Sequence, residues 1–321
     1  MSGDVHPQIR KQPHASANAE YDRALDWLKN VVGSVGRFGT YRATFSSVFR
    51  RVLENRTELV SGDISQLEYI ETRFEANALV EIWKHFQSDH SPLLIEKLKI
   101  VVRGAPLTSS EGRKTEPRDI LFELETAALF KSWGLSVRLG HSADLSFEFN
   151  GVRVLCECKR VQTPKSFGRN LQDAGSQLRD ALNETGCPRN ALGMIAIDVS
   201  RIVHLDAAGF ERYPPTTYGV LSLPSNMVAV LNEVQFGGTV KQRFVSFRKQ
   251  HQQSLGRDLV PRVAGLMLCY NIPAVDLEGS GHTFVVSYPQ IGSFASATPA
   301  ERKYFETFHA DMLGNYRRRR T

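Results

Sequence analysis

Val152-Arg153-Val154-Leu155-Cys156-Glu157-Cys158-Lys159-Arg160-Val161 reads as one β-strand, mostly apolar and β-branched, with an acid and a base two residues apart inside it. Successive strand side chains point to opposite faces. Glu157 and Lys159 therefore share one face, and Cys156, Cys158 and Arg160 share the other. A carboxylate and an ammonium are costly to take out of water. Their presence on a strand headed for the middle of a sheet marks a candidate site.

The surroundings support that reading. Residues 141–149 alternate as a preceding strand, and Asn150-Gly151 is a strong signal for a tight hairpin turn. Asp144 thus opens a strand that turns directly into the Glu157–Lys159 strand. Further upstream, residues 117–133 have a helical pattern. Thr115 is placed to cap this helix, Pro117 fits its first turn and Gly134 closes it. It carries Glu123 and Glu125, about 200° apart around the axis, so only one of them can face the site. Downstream come a basic loop over residues 160–169, a helix over about 170–184 and an apolar strand over 191–199 beside the hairpin.

Residues from about 117 to 200, about a quarter of the chain, resemble the PD-(D/E)xK nuclease superfamily. The matching residues are Asp144, Glu157 and Lys159, with the helical acid falling on Glu123 and Glu125 as the second choice. Ala143 stands where the literal motif has proline. The resemblance implies an α/β restriction-endonuclease-like core, a mixed central sheet flanked by helices. It also implies a metal-dependent endodeoxyribonuclease of restriction, repair or defence type. Many enzymes of this kind cut two strands as dimers, so a homodimer is consistent with the resemblance.

The chemistry can be argued from the residues. Phosphodiester hydrolysis needs a hard cation that holds the phosphate and lowers the pKa of water. Mg²⁺, with Mn²⁺ as a substitute, takes oxygen ligands and usually only one or two carboxylates. Asp144 and Glu157 supply that pair, with the backbone carbonyl of Cys158 as a third ligand. Lys159 would stand beside the attacking water and the phosphate, and Glu123 would add an outer ligand. Arg160, Lys165 and Arg169 on the loop, and Gln177 on the next helix, are candidate nucleic-acid contacts, set against solvated surface. The alternative function is a catalytically silent nucleic-acid-binding or assembly module on the same fold. No phosphate-binding glycine loop or Ser-His-Asp spacing recommends another chemistry.

Composition sets the outer bounds. The 321 residues are 41% hydrophobic and 23% charged, with a net charge of +6, mildly basic and compatible with nucleic acid. No apolar run approaches the roughly 20 residues of a membrane helix. The polar first 19 residues show no secretory signal, and the four cysteines lack the spacing of a zinc site. A cytoplasmic, reducing location with buried, unpaired thiols is expected. The expected division is a disordered tail (1–18), a helical N-terminal unit (19–103), a polar linker (104–116), the nuclease-like domain with a C-terminal extension (117–314) and a basic tail (315–321). Helices are expected near 21–32, 45–53, 67–82, 94–98, 225–236, 241–255 and 299–313, and strands at 263–270 and 283–288.

Overall fold

The computed structural model describes residues 8–33, 66–103, 116–140, 142–200, 261–275 and 282–318. They form an α/β fold built on one seven-stranded mixed sheet. The strands are β1 (Gln8–Pro13), β2 (Val137–Leu139), β3 (Leu145–Phe149), β4 (Val152–Arg160), β5 (Leu192–Asp198), β6 (Val263–Val275) and β7 (His282–Ser293). Their spatial order is β1-β7-β6-β5-β4-β3-β2. The helices are α1 (His14–Val32), α2 (Gln66–Phe86), α3 (Pro92–Val101), α4 (Glu116–Ser132), α5 (Phe167–Leu182) and α6 (Pro299–Arg318).

The middle of the sheet follows from the local chemistry read above. Asn150 and Gly151 adopt φ of 49° and 74°, the left-handed pair that a two-residue hairpin needs. The turn locks β3 against β4 antiparallel, with Phe149 opposite Val152 and Leu145 opposite Cys156. A parallel neighbour needs a crossover, and α5 provides it. β5 then runs parallel to β4, with Glu157 opposite Ile195 and Lys159 opposite Ile197. β6 adds a third parallel strand, and β7 turns back antiparallel beside it.

Both faces of the central strands are covered. One face presents Val154, Cys156, Cys158, Met194, Ala196 and Met267, which join a single buried cluster with α1, α2, α3, α4 and α6. Aromatic rings fasten that layer. Phe130 of α4, Phe147 of β3 and Phe308 of α6 meet with centroids 4.9–6.3 Å apart. Tyr304 Oη donates to the Phe149 carbonyl at 3.0 Å. The opposite face is covered by α5, whose Phe167, Leu171, Ala174 and Leu178 are buried. Gly134, at φ 90°, ends α4 as expected.

Two expected boundaries change. Residues 8–18, read as a disordered tail, form β1 and the first turn of α1. β1 pairs along β7 from Gln8–Ser287 to Pro13–His282. Pairing of this kind is carried by backbone groups of a distant strand, so composition does not reveal it. At the other end α6 runs to Arg318, so the proposed basic tail starts as helix. The helices expected near 45–53, 225–236 and 241–255, and the linker but for its last residue, lie outside the described residues.

Candidate active site

Asp144 sits just ahead of β3, where the β3–β4 ladder has ended at Leu145 and Cys156 and β4 continues alone on that side. A tight turn presents it. The Gly140 N–H donates to the Asp144 carbonyl at 3.2 Å. A Cβ at Gly140 would lie 2.6 Å from the Ala143 carbonyl oxygen, so only glycine fits that close approach. The Asp144 side chain then takes the place of the missing strand partner. Cys158 N–H donates to its Oδ2 at 2.7 Å. A strand residue sends its N–H and C=O to the same side, so the Cys158 carbonyl also faces this open end of β3.

Glu157 is 4% exposed, and Lys159 Nζ lies 3.0 Å from its Oε2. The strand alternation holds as read from the sequence. Cys156 and Cys158 turn into the core on the other face. From the helical layer, α4 brings Glu123, 7% exposed, to the same place. The charge of Asp144 acts on both Glu123 and Glu157 and raises each of them. Three acids thus meet at one strand end: one from a helix, one from a turn and one from a strand.

A fourth side chain completes the group. Lys97 of α3, 7% exposed, is ion-paired with Glu123. Sequence reading missed it, although a signal was present. Leu94, Lys97, Leu98 and Val101 form the buried stripe of α3, so a lysine stands on a core-facing position.

Burial first, then the charge of Asp144, raises Glu123 to about 7, while Lys97 works against the rise. Glu157 is raised to about 7 for the same reasons, with Lys159 opposing. Burial works against the charge on Lys159, but Glu157 and Asp144 outweigh it and push its pKa above the usual lysine value. The site is therefore short of positive charge. Three carboxyl groups face two ammonium groups in a poorly solvated corner.

Of the other residues singled out, Glu125 points elsewhere, as its angular offset requires. It is raised to about 8 by burial and by Asp198 and Glu81, with Arg160 opposing. Arg160 turns away from Lys159 and pairs with Asp198 at 3.5 Å and Asp119 at 4.0 Å. The structure does not bring it to the acids. Lys165 is exposed on a 3-10 turn (Pro164–Ser166) following β4, and Arg169 is exposed in the first turn of α5. Both lie beyond the Lys159 end of the strand. Gln177 is exposed on α5, away from its buried face.

The donor set suits a hard cation. Asp144, Glu157 and the Cys158 carbonyl could hold Mg²⁺, and the shortage of positive charge favours it. Among the described residues no group of three or more His, Cys, Asp or Glu side chains is placed to hold a metal ion by itself. All four cysteines are free, and burial pushes the Cys158 and Cys269 thiols well up, which disfavours thiolate chemistry. None of the described helices is long and apolar enough to cross a membrane. No protein-family model, curated protein or solved structure matches the chain.

Proposed function

We propose that this protein is a metal-dependent nuclease of the PD-(D/E)xK type that hydrolyses phosphodiester bonds in DNA. One observation carries the reading: Asp144 and Glu157 meet where β3 stops, with Lys159 3.0 Å from Glu157 on the same strand face. The order of elements supports it. A helix with an inward acid, an antiparallel β2–β3–β4 meander, a crossover helix and a parallel strand follow one another, an order compatible with a restriction-endonuclease-like core.

The roles follow from position. Asp144, Glu157 and the Cys158 carbonyl would hold the cation. A bound Mg²⁺ supplies a Lewis acid for the phosphate and an acidified water. Lys159, kept charged by its two acidic neighbours, is a fixed cation for the charge that grows on the phosphate, and a donor that orients water. That charge makes it a poor base. Glu123 supports Asp144 from the helical side. Lys165 and Arg169, exposed on the chain that follows β4, would be the candidates to contact neighbouring phosphates. Asp144→Ala, Glu157→Ala and Lys159→Ala are each expected to lower Mg²⁺-dependent DNA cleavage by at least a thousandfold while far-UV circular dichroism is kept. Wild-type cutting by all three variants would remove the assignment.

A second reading draws on the ion pairs. Lys97 and Lys159 already offset much of the acidic charge, as a catalytically silent nucleic-acid-binding or assembly module would require. It predicts DNA binding without cutting under any divalent metal.

A further inference from the structure

We propose that the cavity between Arg138 and Arg153, on the open face of the β2–β3–β4 meander, is a subsite for a DNA phosphate remote from the scissile one. The inference deepens the DNA-directed reading above and rests on it. Residues directly opposite each other in an antiparallel pair share a face. Arg138 lies opposite Ser146, Ser146 opposite Leu155, and Glu148 opposite Arg153. Strand alternation carries that same face along β4 through Arg153, Leu155, Glu157 and Lys159. The helical layer covers the other face, where Phe147, Phe149 and Val154 are buried. On this face α5 packs against β4 and β5. Ser136, Arg138 and Glu148 remain exposed.

The cavity has a volume of about 60 Å³, and its polar lining is Ser136, Arg138, Ser146, Glu148 and Arg153. At about 15 Å³ per water that is room for roughly four waters, or for one phosphate group. Glu148 pairs with Arg153 at 3.5 Å. Two guanidinium groups against one carboxylate still leave a positive charge in excess. A guanidinium fork matches two phosphate oxygens at once, and serine hydroxyls donate to them as well. This end of the face suits an anion, whereas the Glu157 end suits a cation.

The spacing fits a substrate that runs along the strand. At roughly 3.3 Å per residue, Arg153 stands about 13 Å along β4 from Glu157. One strand of stacked DNA advances about 3.4 Å per nucleotide. The cavity would then meet a phosphate about four nucleotides from the one at Glu157. Such a contact is too distant to touch the reacting atoms, so it acts on binding. A solvated arginine elsewhere supplies the control. Arg179 of α5 is exposed and pairs with Asp180 at 3.1 Å, outside the cavity.

The test is the fluorescence anisotropy of a labelled duplex of about 20 base pairs, titrated with the full chain in EDTA over a series of NaCl concentrations. The proteins are wild type, Arg138→Gln, Arg153→Gln, both glutamine changes together, both arginines changed to lysine, Glu148→Gln and the control Arg179→Gln. Each single glutamine variant should weaken Kd by about fivefold. The double variant should lower the slope of log Kd against log[NaCl] by about 0.9, the value for one phosphate contact. The lysine pair should keep the slope, Glu148→Gln should tighten binding, and Arg179→Gln should behave as wild type. In Mg²⁺ the double glutamine variant should raise KM more than it lowers kcat. Wild-type Kd and slope in the folded double variant would overturn the inference, as would an equal loss in Arg179→Gln. The expected binding results from a protein that cuts no DNA in Mg²⁺ would keep the subsite and remove the nuclease reading. A wild-type chain that binds no DNA would remove both.

Discussion

Glu157 is held where a carboxylate is least comfortable: buried, beside Asp144, with one lysine to balance it. A carboxyl whose pKa rises on folding binds protons more tightly in the native chain than in the unfolded one. Stability then falls as pH rises from the usual value of 4.5 to the raised value of about 7, and levels off above it. The melting temperature of the metal-free protein should therefore drop by several degrees between pH 5 and pH 8, since each pK unit is worth about 1.4 kcal/mol. Mg²⁺ or Mn²⁺ should raise it more at pH 8 than at pH 5. A flat or rising profile would contradict the crowding of the three acids. By the same physics Glu157→Gln should stabilise the metal-free chain at pH 8, by thermal melting, while abolishing cleavage. Asp144, Glu157 and Lys159 were legible in the sequence because strand alternation and one turn bring them together. Lys97 was not, because it reaches Glu123 across 26 positions of chain through helix packing.

At the scale of elements, two turns position the site. Gly151 needs φ of 74° and has open space around its missing Cβ, so Gly151→Ala should cost about 1 kcal/mol in chemical denaturation through backbone strain alone. Gly140 is different. Its constraint is the Ala143 carbonyl, and relief of that clash must move the turn that carries Asp144. Gly140→Ala should lower kcat for DNA cleavage at least tenfold, more than it lowers the melting temperature would suggest. Equal activity in the two variants would mean that the Gly140 turn does not set Asp144. The Asn150-Gly151 hairpin was legible because turn chemistry is local. The Gly140 closure was not, since a close carbonyl approach leaves no compositional trace.

At the scale of the whole molecule, the described parts share one sheet and one continuous core, and the N-terminal chain contributes at both. α1, α2 and α3 bury Leu25, Leu28, Leu79, Ile82, Leu94 and Leu98 in the cluster that also holds Phe130, Phe147 and Phe308. β1 covers the outer edge of β7. Deletion of residues 1–13 should therefore expose a long strand edge and promote self-association, read as a shift to larger species in light scattering. Monodisperse behaviour like that of the full chain would contradict this. Helical periodicity made α1, α2, α3 and α6 legible as elements. The β1–β7 pairing and the order of strands beyond β5 were not, because they depend on contacts between the two ends of the chain. The most direct measurement is cleavage of plasmid and single-stranded DNA in Mg²⁺, Mn²⁺ or EDTA, with wild type beside Lys159→Ala. Cutting by wild type that needs the metal and is lost in Lys159→Ala is the expected result. DNA binding without cutting in any metal, or equal cutting by both proteins, would contradict a nuclease site on β4.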